Sequence, residues 1–295
     1  MVKRTPKAAI KDISTAGLLP ISTVTSQWME DVQHIYGGKY ASVDAVQSYP
    51  QNIVLEANLA GPKNGELVVI ATRSKQLREE LLLRLAYRTA IANKKNVAVY
   101  SANEFFVQFA RKLVGAMSGI PPDVNIHDGN LNEAEFGRLV SELTKLNAAK
   151  IFMYPIQTIH FGWLRVTAHK LIKSTCDIGL VLVDGVQCLL DDQRHCISTA
   201  QGLSGLKGLV EELSVTVIAL YQLNPSVKDH PSTLTREELA EIEKLSASTD
   251  GFVLMSGTPE ELVFMPPKIP NAKPIAWLEQ ITNNITGRRS YAYAD

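Results

Sequence analysis

The 295-residue chain is short of cysteine, net charge and long apolar runs, and each shortage excludes something. Its three cysteines are Cys176, Cys188 and Cys196, with no Cys-x-x-Cys pair. The odd count fits a reducing compartment better than a disulfide scaffold. Even with His195, the pair Cys188 and Cys196 is one ligand short of a zinc site, so no metal is expected. Cys188 lies in an apolar stretch and reads as a small core residue. Thirty basic residues balance thirty acidic ones. That removes a bulk electrostatic case for nucleic-acid binding and leaves only local patches. No apolar stretch reaches the roughly 18 residues of a membrane span, and the opening MVKRTPKAAIK lacks a signal-peptide core. A soluble, cytoplasmic protein is expected.

What is present is a chain able to bury a large core, at 45% apolar residues. Residues 1–20 are polar, broken by Pro6, Gly17 and Pro20, and carry Lys3, Arg4, Lys7 and Lys11. They read as a flexible basic arm, either a solubilising tail or a contact for nucleic acid or an acidic partner. Residues 21–55 form a linker, with an amphipathic helix over 22–36 that carries Val24, Trp28, Val32 and Ile35. A lone helix of this kind must bury its apolar face on its own domain or on a neighbouring subunit.

The main domain is read as 56–285. Apolar strands at 66–72, 96–102, 150–155, 177–185, 215–223 and 251–257 alternate with helical periodicity at 75–93, 104–117, 132–147, 161–174, 199–213 and 235–247. Phe105, Phe109 and Leu113 are spaced by four in the second of these helices. Asn132 precedes Glu135 by three, the spacing of a capping box. The alternation predicts βαβ units and a mostly parallel twisted sheet covered by helices on both faces. ELVFMP and PIAWLEQ, joined by a Pro-rich connector, predict an antiparallel edge near the C-terminus. Residues 286–295 read as a tail. There Arg288 and Arg289 stand beside Tyr291 and Tyr293, a cluster that can stack on single-stranded bases or simply fray. Trp28, Trp163 and Trp277 are too scattered for a site and read as packing residues.

Five segments, in order, resemble the motor domain of DnaB-family replicative helicases. They are GELVVIATRS, VAVYSANEFFVQFARKLVGAMSGI, NIHDGNLNEAEFGRL, DIGLVLVDGVQCLL and LKGLVEELSVTVIALYQLNP, and the likeness spans roughly residues 55–285. The resemblance implies an α/β, RecA-like P-loop NTPase core of a type that forms rings, with ATP at subunit interfaces and central loops on single-stranded DNA. The helix at 22–36 stands where that family has a linker helix packed on the adjacent subunit.

Against this pattern the catalytic positions are degenerate. A phosphate loop needs glycine-exposed backbone N–H groups, one lysine on the phosphates and one hydroxyl on magnesium. Here Leu77 stands for the glycine, Arg78 for the lysine and Glu79 for the Ser/Thr. Leucine resists positive φ, guanidinium lacks the compact ammonium geometry, and Glu79 with Glu80 places anions where a triphosphate would lie. Asn103 stands for the catalytic glutamate, with Glu104 next to it. Pro270 stands for the arginine finger, in a stretch where Lys268 and Asn271 still fit. Asp184, Gln187 and Gln222 look retained. Asp184 reads either as a magnesium-organising carboxylate or as a turn or cap aspartate. The glutamines read either as nucleotide sensors or as loop framework. KDHPSTLTREELAEIEKLSAS occupies the place of a DNA loop but is too acidic for a clamp, and reads as a solvent-facing helix.

The function expected from these residues is that of a catalytically inactive, DnaB-like interaction, scaffold or regulatory protein of replication or recombination, with a protein partner or self-association. No cofactor is expected on that reading. Two alternatives stay open: a single-stranded DNA binder without turnover, using Lys3, Arg4, Lys7, Lys11, Arg288 and Arg289, and an ATP- and magnesium-dependent motor with an atypical phosphate loop.

Overall fold

The computed structural model describes residues 17–36, 65–120, 129–223, 236–256 and 263–265. Its strands are β1 (Leu19–Pro20), β2 (Leu67–Thr72), β3 (Val97–Ser101), β4 (Ile151–Met153), β5 (Leu180–Asp184), β6 (Val217–Gln222), β7 (Gly251–Ser256) and β8 (Val263–Met265). Its helices are α1 (Ser22–Tyr36), α2 (Lys75–Tyr87), α3 (Phe106–Ser118), α4 (Glu133–Ala148), α5 (Phe161–Thr175), α6 (Thr199–Leu213) and α7 (Arg236–Ala247). One sheet holds all the strands in the order β1-β4-β3-β5-β6-β2-β7-β8. Pairings from β4 through β7 are parallel, and both edges are antiparallel.

The expected two-sided α/β sheet is therefore what forms, and its strand sequences show why. Each central strand is buried along its whole length, so it reads as an unbroken apolar run. Alternate residues serve opposite faces. Val68, Ile70, Val97, Val99, Leu182 and Ile218 point to the layer of α1, α2, α3 and α4. Val69, Ala71, Ala98, Tyr100, Val183 and Val217 point to α5, α6 and α7.

Local chemistry sets the helix starts. Asn132 and Glu135 close the predicted capping box at α4, and Ser198 with Gln201 does the same at α6. Both satisfy backbone donors that a helix start leaves open. After Tyr87 the helix continues as a π turn over Arg88–Ala92.

Four readings change. Leu19–Pro20, at the end of the segment read as an arm, pairs with β4 as a two-residue edge strand. Phe106, not Phe105, joins Phe109 and Leu113 on the buried face of α3, and Phe105 is 59% exposed. The helix starts at Phe106, two residues after the predicted 104, and Phe105 is its extended N-cap, so it falls off the buried stripe. Cys188 is exposed rather than in the core, because the turn after β5 carries it outward. Trp163 is 44% exposed, on the outer side of α5. Trp28 is buried, as expected. It lies with Val24, Val32 and Tyr36 where α1 packs on α4 and α3 of its own domain. The segment PIAWLEQ and residues Trp277, Lys268, Pro270 and Asn271 lie outside the described residues, as do Lys3, Arg4, Lys7, Lys11, Arg288 and Arg289.

Candidate functional site

Parallel α/β sheets present their working groups beyond the carboxyl ends of the strands. Here sheet register brings four such ends together. Ser101 ends β3 opposite Asp184 at the end of β5, and Thr72 ends β2 opposite Gln222 at the end of β6. Asp184 then leads into Gly185 at φ +89°, which turns the chain sharply. That left-handed backbone favours glycine, and a β-carbon there would also push on the Asn103 side-chain nitrogen at 2.8 Å.

The segment from Ser74 to Glu79 takes the place of a phosphate loop, but its backbone is helical from Lys75. Ser74 is the N-cap. Its hydroxyl accepts from the Leu77 N–H at 3.2 Å, and its carbonyl accepts from the Arg78 N–H at 3.1 Å. Those donors are spent inside the helix start instead of facing an anion. Leu77 is fully buried in the core layer.

Arg78 is also buried, at 3% exposure, and its guanidinium turns inward. Its Nε lies 3.0 Å from Asp184 Oδ1, and its Nη1 donates to Gln222 Oε1 at 2.8 Å. The Nε contact is close as a pair of charges but bent out of hydrogen-bond alignment. The other Asp184 oxygen accepts from the Ser101 hydroxyl at 2.6 Å. Gln222 completes the bridge by donating to the Arg73 carbonyl at 2.6 Å. Arg73 in turn forks onto the buried Glu238 of α7, at 3.2 and 2.5 Å. One polar chain therefore runs from Ser101 through Asp184, Arg78, Gln222 and Arg73 to Glu238. At this depth each charge is offset by the other, since burying an unpaired charge costs several kcal/mol. Burial pushes the Asp184 carboxyl above its ordinary value. The Arg78 charge, and then the Ser101 and Asn103 side chains, pull it part of the way back.

The remaining predicted positions are placed as follows. Glu79 does not point at this centre. Its carboxylate turns to Lys112 of α3 at 2.9 Å, with Lys75 at 3.6 Å. Lys112 also holds Glu104 at 2.5 Å. Glu80 is held by Arg84. The backbone N–H groups of Asn103 and Glu104 donate to the Ser101 hydroxyl, which fixes the turn after β3. Gln187 follows in a short 3-10 turn, with its side-chain oxygen buried and without a hydrogen bond. Asp184 is neither a cap nor a turn aspartate, because its side chain is committed to Arg78 and Ser101. The reading of α7 as solvent-facing holds for one side only: Glu238, Ile242 and Leu245 are buried.

Arg73, Ser101, Glu238 and Lys112 were not singled out from the sequence. Ser101 had a signal, since it closely precedes the position given to the general base. Arg73 and Glu238 had none, because they meet only through the fold.

A nucleotide phosphate at this position would need open N–H donors and an unpaired cation. The Leu77 and Arg78 N–H groups are used within the first turn of α2 and the Arg78 cation faces Asp184, so none of these three groups is open to a phosphate as arranged. Among the described residues no group of three or more His, Cys, Asp or Glu is placed to hold a metal ion, and no helix is long and apolar enough to cross a membrane.

The mostly parallel sheet with helices on both faces is a RecA-like α/β fold. The sequence model of the DnaB-like helicase C terminal domain matches residues 51–247, and the chain belongs to that family. It is 24% identical over 219 residues to the replicative DNA helicase DnaC of Bacillus subtilis (strain 168), covering 73% of this chain and 47% of that protein. It is 26% identical over 178 residues to the replicative DNA helicase DnaB of Geobacillus stearothermophilus, covering 59% and 39%. The chain thus spans about half or less of these curated relatives. Among solved structures, one described as an ATPase domain superposes with a TM-score of 0.58 at 19% identity, over 66% of this chain and 70% of that one. A DnaB-like replicative helicase described with its interactions with primase gives 0.60 at 17% identity, over 77% and 55%. Both show the same fold.

Proposed function

We propose that this DnaB-family domain fills its own nucleotide position with Arg78, and that it acts in DNA replication or recombination as an interaction, scaffold or regulatory protein without ATP turnover. The observation that carries this reading is the buried Arg78–Asp184 pair. The residue standing for the phosphate-binding lysine and the residue standing for the magnesium-organising carboxylate neutralise each other. Leu77 in the core and the helical start of α2 support the same reading. Replication proteins are the first partner class to test, since one structural neighbour is a helicase described with primase.

The comparisons on their own favour a second reading, an ATP-driven DNA motor, because the named relatives are replicative helicases. That reading needs Arg78 to leave Asp184 and face phosphate, which would free Asp184 for magnesium. A third reading, single-stranded DNA binding without turnover, would use Lys3, Arg4, Lys7, Lys11, Arg288 and Arg289. One experiment separates the three: Mg²⁺-ATP binding and hydrolysis by the full chain, with and without single-stranded DNA. No binding and no turnover is expected. Turnover stimulated by DNA establishes the motor. Salt-sensitive DNA binding without turnover, lost on deleting the basic arm, establishes the third reading.

A further inference from the structure

We propose that the outer face of α5 docks an acidic amphipathic helix of a partner protein. Only three large apolar side chains stand exposed among the described residues: Phe105, Trp163 and Val166. Two of them belong to α5. Trp163, Val166, Lys170 and Lys173 recur at intervals of three and four residues, which places them on one stripe of the helix. Trp163 and Val166 are 44% and 47% exposed. Lys170 and Lys173 lie further along the same stripe, and among the described residues neither is paired with a carboxylate. Beside the stripe runs a shallow groove of about 430 Å³, lined by Arg165, Val166, His169, Lys170 and Lys173. Its lining is mostly apolar, as expected where long cationic side chains lay their stems along a surface and lift their charges to the rim.

An apolar floor with a cationic rim suits a helix with one apolar stripe and flanking carboxylates. It suits a nucleic-acid strand less well. Glu212 stands inside the cluster, 2.5 Å from Arg165 and 3.1 Å from His169, and engages both of those side chains. A phosphodiester chain would meet that carboxylate at close range, whereas a peptide needs only two acidic side chains, for Lys170 and Lys173. Exposed Trp beside Arg is also the composition of protein-binding hot spots. The inference does not depend on the state of the nucleotide position, which lies at the strand ends.

The test uses the full chain and a fluorescein-labelled synthetic helical peptide with leucine on one stripe and glutamate on both flanks, followed by anisotropy. Saturable binding is expected, weakened about tenfold by Trp163→Ala and abolished by Lys170→Glu with Lys173→Glu. The same peptide carrying lysine for glutamate should bind that doubly substituted chain, a rescue that misfolding would not give. No binding to the wild-type chain, equal binding to the substituted chains, or displacement of the peptide by an oligothymidylate that binds more tightly would overturn the proposal. The last result would make the face a nucleic-acid surface.

Discussion

Replacing Arg78 by methionine tests the buried pair directly. Methionine keeps much of the arginine stem and removes only the charged head. Asp184, with a side chain 2% exposed, would keep Ser101 as its closest hydrogen-bond partner and lose the facing cation. Removing one member of a buried ion pair typically costs about 3–5 kcal/mol, because the other charge is left uncompensated. Gln222 would also lose its contact with Nη1, so the upper part of that range is expected. Removing both charges together, as Arg78→Met with Asp184→Leu, should recover most of the loss, since apolar replacements of whole buried pairs are about neutral or stabilising by roughly 1–4 kcal/mol. Urea unfolding followed by circular dichroism, in a four-member cycle with both single variants, reads these terms and their coupling. If Arg78→Met costs under about 1 kcal/mol, the pair behaves as a solvent-exposed bridge and the strand ends are wet. That result would refute the closed site.

Two further outcomes follow from the same structure. The Asp184 carboxyl titrates above its ordinary range in the fold because of burial, so the folded chain holds that proton more tightly than the unfolded chain. Its stabilising contribution is fully present below the ordinary aspartate value and is lost as pH rises through the raised folded value. Asp184→Asn should therefore flatten the pH dependence of the urea midpoint across that window, and an unchanged slope would contradict the assignment. Trp28 is buried where α1 meets α4, so Trp28→Ala should cost about 3–5 kcal/mol in the same unfolding assay. A loss under about 1 kcal/mol would mean that α1 is not seated on its own domain.

The architecture was legible because the two periods are distinct. Continuous apolar runs such as LVVIAT and LVLVD mark buried parallel strands, and Asn132 with Glu135 marks a helix start in plain chemistry. The strand-end residues Asp184 and Gln222 were also legible, because position at the end of a buried run places a side chain at the sheet's edge. What each of them touches was not. What Arg78 meets depends on where α2 starts, which the Ser74 cap fixes, and on how α2 packs on the sheet. Glu79 looked like an obstacle to phosphate, yet Lys112, one helix away, claims its carboxylate. Glu238 sat in an acidic run read as solvated, and only the packing of α7 against the sheet buries it beside Arg73. Phe105 left the predicted stripe because it is the extended N-cap of α3, while Phe109 and Leu113 kept their places on the buried face.

The central claim is that Arg78, paired with Asp184 and backed by buried Leu77, closes the nucleotide position. Equilibrium binding of Mg²⁺-ATP to the wild-type chain and to Leu77→Gly/Arg78→Lys/Glu79→Thr measures it most directly. The substituted chain has a glycine to open the loop, a compact ammonium for phosphate and a hydroxyl for magnesium, and it frees Asp184. Saturable binding by the substituted chain and none by the wild type is the predicted result. Wild-type binding as tight as that of the substituted chain would show that Arg78 yields to nucleotide, and would contradict the account.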